Sequence, residues 1–193
     1  DSNSNGGDSN SNGGDSNSNG GDSNSNVNLS INWRKDIFPG NYANTTALYN
    51  DYTDISLNGN GAIQAPSTSN SFTGFNIISG PDNTQQNYKK GYYLSNNNAY
   101  ICFKTPANVK GTIYYVIGGP VSNNSSSDSS VRLRLNGNSG SVLQTSTAPK
   151  NNAKQYTYSP MEASTTYCLF RNSRNSVAYI YSIFLYSPGG EEL

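Results

Sequence analysis

The chain of 193 residues contains no histidine. That removes the usual general base at neutral pH and the commonest nitrogen ligand for a metal. Charged residues make up 12% of the sequence, and methionine and tryptophan occur once each. No stretch approaches the roughly eighteen consecutive apolar residues of a membrane helix. The first residues lack the apolar region of a signal peptide. Two cysteines, Cys102 and Cys168, are too few for a zinc site. They leave two readings open: two buried free thiols, or one disulfide contributing about 4 kcal/mol through loop-closure entropy. Serines are abundant, but none stands in G-x-S-x-G and no histidine is present to activate one. A glycine-rich phosphate loop would need a following helix, and no helical pattern follows any glycine cluster.

Carboxylates are scarce where catalysis would need them. Glycoside hydrolysis uses two acids facing each other across a cleft. Between Val27 and Pro188 the acids are Asp36, Asp51, Asp54, Asp82, Asp128 and Glu162. Asp82 sits in the turn sequence GPDN and Asp128 in the loop NNSSSDSS, where acids are usually hydrated. A lyase using Arg or Lys as base, with calcium on the substrate carboxylate, is the catalytic route these residues leave open. The expectation is that the chain is not an enzyme.

The formal charge of zero is a sum over unlike parts. Asp1, Asp8, Asp15 and Asp22 lie in the N-terminal repeat, and Glu191 and Glu192 lie at the other end. The stretch between holds all 12 bases against the six acids named above, a net charge of +6. Such a surface favours an anionic partner.

The repeat itself reads DSNSNGG three times and begins a fourth. Asp1, Asn3, Asn5 and Gly6 match the start of a calcium loop. Each unit, however, carries one carboxylate, and Asn12 stands where the loop needs a bidentate Glu. Residues 1–26 are therefore expected to be a flexible linker, spanning about 28 Å root-mean-square as a coil. Residues 27–188 are expected to form one domain, and 189–193 to begin a second linker. Together these boundaries give the expectation of an excerpt from a longer secreted protein.

From Val27 onward, apolar and aromatic residues alternate with polar ones in short runs separated by Gly, Pro and Asn clusters. VNLSINW, DISLNG, GAIQA, GFNIIS, GYYLS, AYICFKT, GTIYYVIGG, VRLRLNG, SVLQTST, QYTYS, TYCLFRN and VAYIYSIFLYS follow a period of two. No segment of ten residues carries a helical period. The fold class predicted is all-β, an antiparallel two-sheet β-sandwich of about ten to twelve strands, most readily a jelly-roll. In AYICFKT the inward set is Ala99, Ile101 and Phe103, and in VRLRLNG it is Val131, Leu133 and Leu135. Trp33, near the domain start, is expected to be buried. The last strand is apolar on both alternating sets, so it is either covered on both sides or turns Tyr179 and Tyr181 towards a partner.

The succession of Trp33 in an opening strand, the AYICFKTPANVKGTIYYVIGG hairpin, a serine-rich loop, VRLRLNG, QYTYS and TTYCLFRNSRNSVAYIYSIFLY resembles the jelly-roll domains appended to pectate lyases and related plant cell-wall-degrading enzymes. The resemblance implies a non-catalytic carbohydrate-binding module, tethering an attached catalytic module to plant cell-wall polysaccharide, with pectin the usual neighbourhood. It carries over no set of binding residues.

Candidate binding residues come from the chain's own patterns. Sugars offer apolar C–H faces and hydroxyls, so aromatic rings beside hydrogen-bonding or charged groups are the expected platforms. Tyr88, Lys89, Lys90, Tyr92 and Tyr93 cluster in NYKKGYY, whose flanks read as loop. Arg132 and Arg134 project from one strand face, with Tyr100 and Lys104 on a second strand expected to neighbour it. Arg171 and Arg174 lie in the turn FRNSRNS. Guanidinium groups grip carboxylates bidentately, which favours acidic pectin (homogalacturonan) over a neutral glucan. Structural calcium is the one cofactor expected, with Asp36, Asp51 and Asp54 as side-chain donors. A secreted monomer with no nucleic-acid or membrane partner completes the reading. Its alternatives are a structural or adhesive extracellular module whose tyrosine faces pack against other subunits, and a small polysaccharide lyase.

Overall fold

The structure is a computed structural model, and it describes residues 32–59, 61–96, 99–122, 127–137 and 139–188. The DSNSNGG repeat, the expected boundary at Asn26 and Val27, and residues 189–193 lie outside the described residues. The chain runs β1 (Trp33–Phe38), helix α1 (Thr45–Asp51), β2 (Ile55–Asn58), β3 (Ile63–Gln64), β4 (Phe75–Ser79), β5 (Thr84–Tyr88) and β6 (Gly91–Leu94). It continues through β7 (Tyr100–Lys104), β8 (Gly111–Gly118), β9 (Ser129–Leu135), β10 (Val142–Ala148), β11 (Ala153–Met161), β12 (Thr166–Arg171) and β13 (Ala178–Ser187). Strands β11, β8, β13, β6 and β3 lie in that order in one sheet, with β1 also paired to β13. Strands β10, β9, β12, β7 and β2 form the second. Strands β4 and β5 form a separate hairpin.

From β6 onward, consecutive strands alternate between the two sheets, except for β9 and β10, which pair with each other. This is jelly-roll order, and the fold class is the antiparallel β-sandwich that the alternation predicts. One connection differs. AYICFKTPANVKGTIYYVIGG is not a hairpin, because β7 and β8 sit in opposite sheets. The TPANVK segment carries the chain across the sandwich, and Thr105 at its start is pinned by its hydroxyl, which donates to the Glu162 carbonyl at 2.7 Å.

The core lies between the sheets and takes the predicted inward residues. Ala99, Ile101, Phe103, Val131 and Leu133 are fully buried, and Leu135 packs half-buried against them. Each such side chain removed from water contributes roughly 1.5–3 kcal/mol. Trp33 is half-buried rather than buried, packing at the edge of the core from β1. Tyr115 crosses the sandwich: its hydroxyl shares a 2.6 Å hydrogen bond with Ser146 of β10 and accepts from Gln144 Nε2 at 2.7 Å. Burial raises its pKa, so it stays a neutral link between the sheets. Helix α1 escaped the sequence pattern because seven residues are too few for a period. Asn44 caps it, accepting from the Ala47 amide at 2.8 Å, and Leu48 anchors it in the core.

The outer face of the six-stranded sheet is half covered by the β4–β5 hairpin. Tyr179 and Tyr181 of β13 pack there with Tyr88, Phe75 and Ile77, forming a second, smaller core. The last strand is thus covered on both sides, and Tyr181 turns towards no partner molecule. Its ring fits because β6 and β8 place glycines beside it. A Cβ on Gly91 would come within 2.8 Å of the ring, and one on Gly118 within 2.9 Å. Gln155 of β11 ties the hairpin down, accepting from the Ser79 hydroxyl at 2.9 Å and the Gly80 amide at 2.8 Å.

Candidate functional site

On the five-stranded sheet, the alternation that buries Ile101, Phe103, Val131, Leu133 and Leu169 turns the intervening residues outward. Three strands place them in rows. Tyr100 of β7 stands opposite Phe170 of β12, which stands opposite Arg132 of β9. One row along, Cys102 faces Cys168, and Cys168 faces Arg134. Beyond them Lys104 faces Thr166. Neighbouring strands are about 4.8 Å apart, so the rows form a continuous surface. Cys102 and Cys168 are joined in a disulfide across β7 and β12 with Cα atoms 4.1 Å apart, which closes the reading of two free thiols.

The four residues Tyr100, Lys104, Arg132 and Arg134 therefore share one face, as the sequence predicts. Their strands are not neighbours, because β12 lies between β7 and β9. Phe170, which the sequence reading missed, is the residue that links them. The Tyr100 ring stacks on it with centroids 4.5 Å apart, and the Arg134 guanidinium lies 5.3 Å from its centroid. The signal for Phe170 was the disulfide: pairing Cys102 with Cys168 sets the register that puts Phe170 beside Tyr100. Arg134 Nη1 also donates to the Gly140 carbonyl at 3.1 Å, which fixes the fork's orientation. Among the described residues, Arg132, Arg134 and Lys104 form no ion pair. Tyr100, Arg132 and Arg134 are half-buried and Lys104 is exposed. At the Lys104 end, a hollow of about 230 Å³ opens between Ser56, Cys102, Lys104 and Thr166. Chemically, the face presents a flat ring, a disulfide floor and three cationic donors to solvent.

The other predicted cluster is dismantled. Tyr88 and Tyr92 are buried, at 3% and 1% exposure, so neither is a platform for a sugar. The flank TQQ before NYKKGYY is not loop but part of β5, and NYKKGYY itself is the end of β5, a two-residue turn and β6. Its apolar alternation serves two cores, Tyr92 pointing between the sheets and Tyr88 under the hairpin. Tyr93 is half-buried and stacked on Tyr179 at 5.1 Å. Lys89 and Lys90 occupy the turn, their amides both donating to Asn41 Oδ1 at 2.7 and 3.1 Å. They belong to the six-stranded side, away from the arginine face.

Arg171 is likewise corrected. It is buried at 8% exposure, and its guanidinium donates to the carbonyls of Ser173 at 3.0 Å and Leu94 at 3.0 Å. Burial lowers its pKa. It holds the β12–β13 turn to the end of β6, while Arg174 remains exposed in that turn.

The three predicted calcium donors do line one hollow of about 310 Å³, together with Lys35. Their carboxylates are already engaged: Asp36 accepts from Arg34 at 3.1 Å, Asp54 from Lys35, and Asp51 from the Tyr42 hydroxyl at 3.0 Å. Burial and the Asp51 hydrogen bond raise the Tyr42 pKa, which keeps that phenol a donor. A lysine ammonium inside the donor set repels a divalent cation, and among the described residues no three His, Cys, Asp or Glu converge to hold a metal. The donor set does not fit calcium.

No family model and no curated protein matches the sequence. Solved structures align with the fold at low sequence identity. The tandem family 51 carbohydrate-binding modules of the family 98 glycoside hydrolase from Streptococcus pneumoniae SP3-BS71 align with a TM-score of 0.46 and 12% identity, covering 80% of this chain and 48% of theirs. A family 36 carbohydrate-binding module in complex with calcium and xylotriose aligns at 0.41 and 17%, covering 69% of this chain and 98% of its own. A family 51 module with INT domains from Clostridium perfringens ZmpB, in complex with GlcNAc, aligns at 0.41 and 11%. It is matched over 69% of this chain, which spans 29% of that longer structure.

Proposed function

We propose that residues 27–188 form a non-catalytic carbohydrate-binding module that targets an attached catalytic module to plant cell-wall polysaccharide, with acidic pectin as its ligand. The observation that carries this reading is the open outer face of the five-stranded sheet, where the Tyr100–Phe170 stack lies beside Arg132, Arg134 and Lys104. A galacturonate ring laid on Tyr100 would present its C–H face to the phenol and its carboxylate to a guanidinium, which binds it through two parallel hydrogen bonds. Lys104, beyond the disulfide, would meet the carboxylate of a further sugar along the chain as a point charge. The net positive charge of the domain would draw the polyanion in.

The adhesive alternative drew on tyrosine faces packing against other subunits. Its support weakens because Tyr179 and Tyr181 are covered by the chain's own hairpin. Secretion is part of the proposal and is supported by the disulfide, which persists in oxidising compartments. No helix among the described residues is long and apolar enough to cross a membrane. The N-terminal repeat acts in this reading as a tether that raises the module's effective concentration at a surface held by its neighbour. The protein is expected to be a monomer.

Affinity gel electrophoresis against polygalacturonate, methylated pectin, xyloglucan and cellulose tests the proposal. Retardation that is strongest on polygalacturonate and declines as salt rises is expected. Absence of retardation on every polymer, or salt-insensitive binding to cellulose, would overturn it. Ultraviolet-absorbing unsaturated products from polygalacturonate would replace it with a lyase.

A further inference from the structure

Beside the β4–β5 hairpin, the outer face of the six-stranded sheet holds a second group of rings, in which Phe184 is buried and Tyr114 and Tyr186 are half-buried. Tyr114 of β8 stacks on Phe184 of β13 with centroids 4.7 Å apart and planes 10° apart, and Tyr186 meets Tyr114 edge-on at 6.1 Å. Arg34 of β1 lies over Phe184 with its guanidinium carbon 3.9 Å from the centroid. Asp36 holds it there, accepting from Nε at 3.2 Å and Nη2 at 3.1 Å, which leaves Nη1 for another acceptor.

The turn between β4 and β5 closes the far side. Its backbone takes positive φ at Gly80 (81°) and Asn83 (57°), and the Gly80 amide is fixed by Gln155. A Cβ built on Gly80 would stand 3.1 Å from Asp82 Oδ1, 3.5 Å from Phe184 Cζ and 3.7 Å from Arg34 Nη1. The carboxylate and the guanidinium therefore converge beside the ring. Asp82 is kept ionised chiefly by the Thr84 hydroxyl, which donates to it at 2.8 Å, with the Arg34 charge adding to the effect. Asn32, Arg34, Pro81, Asp82 and Tyr186 line a hollow of about 310 Å³. That volume lies at the small end of ligand pockets, which start near about 300 Å³.

We infer that this hollow is a second saccharide site, and that it takes a neutral pyranose. Arg34 is offset by two carboxylates, Asp36 and Asp82, so the hollow lacks the positive charge of the arginine face and repels uronates. An ionised carboxylate accepts from two neighbouring hydroxyls, a guanidinium N–H donates to a third oxygen, and Tyr186 offers a face to the sugar's C–H groups. The inference goes beyond the pectin reading and stands on different residues. With both sites filled, one sheet would hold an anionic saccharide and the other a neutral one, and the domain would be bivalent.

The full chain, labelled with nitrogen-15, is titrated separately with cellotriose, galactotriose and trigalacturonate up to about 10 mM, where millimolar affinities are read. A neutral trisaccharide is expected to move the amide signals of Arg34, Asp82 and Tyr186. Tyr186→Ala and Asp82→Asn are each expected to weaken that binding at least tenfold, whereas Arg132→Ala leaves it unchanged. Asp82 is exposed in a turn, so its variant tests the site even where Tyr186→Ala lowers stability. Signals at Arg34, Asp82 and Tyr186 that stay fixed with both neutral sugars, or an Asp82→Asn variant that binds them undiminished, would overturn the inference. Trigalacturonate reports on the other face, so the failure of either site is read independently.

Discussion

The two sheets of this sandwich are built from the same alternating pattern, yet their outer faces have opposite fates. On the six-stranded sheet, Tyr179 and Tyr181 are roofed by the β4–β5 hairpin and become core. On the five-stranded sheet, Tyr100 keeps its ring at the surface, with Phe170 beneath it and arginines to one side. A tyrosine in a strand is thus a packing residue or a platform according to what the rest of the chain lays over it. That choice is made by a hairpin about a hundred residues earlier, not by the strand's own sequence.

The contrast predicts that the roofed face carries stability and the bare face carries binding. Tyr181→Ala should destabilise by about 3–5 kcal/mol, the range for emptying an aromatic site, while the folded fraction keeps its affinity for polygalacturonate. Chemical denaturation paired with calorimetric titration checks both halves. Tyr181→Phe is the control: the buried Tyr181 hydroxyl has no hydrogen-bond partner among the described residues, so its removal should leave stability equal or higher.

Reduction of the Cys102–Cys168 bridge touches both functions, because it lies in the floor of the bare face. A sequence separation of 66 corresponds to about 4 kcal/mol of loop entropy, so the denaturation midpoint should fall sharply on adding reductant. Unchanged stability after verified reduction would mean that β7 and β12 are held by their ladder alone.

On the bare face itself, Arg132→Ala and Arg134→Ala should each weaken binding of a galacturonate oligomer by roughly tenfold to a hundredfold. That is the value of about 1.5–3 kcal/mol for a hydrogen bond to a charged group. Thermal stability should hardly change, and scanning calorimetry checks it. Should the arginine variants unfold the domain instead, the face would be structural and the contrast would collapse.

The smallest effect concerns Asp82. Its carboxyl is held below the usual carboxylate range by the Thr84 hydroxyl, so it stabilises the fold above the ordinary Asp value of about 3.9 and loses that contribution as pH falls through its lowered value. Asp82→Asn should therefore melt slightly below the parent near neutrality and converge with it in strong acid. Melting curves across that range check the sign.

The fold was legible because a period of two survives in nearly every strand, and the inward sets of β7 and β9 follow directly from it. The calcium set failed because sequence counts carboxylates but not the bases folded beside them, here Arg34 and Lys35. The NYKKGYY cluster failed for a related reason. The TQQ before it reads as loop but forms β5, and the tyrosines of β5 and β6 are taken up by two cores, where Gly91 makes room for the Tyr181 ring. Arg132 and Arg134 were readable as a pair because they sit two apart in one strand. That Tyr100 would join them depended on β12 being threaded between β7 and β9, a long-range fact.

In the proposed function a uronate chain binds across Tyr100, Phe170 and the two arginines. Amide chemical-shift mapping with trigalacturonate tests it most directly. Shifts are expected only in β7, β9 and β12, from Tyr100 and Lys104 through Thr166 and Phe170 to Arg132 and Arg134. Shifts absent from those three strands at saturating ligand, or gathered on the six-stranded sheet, would contradict it.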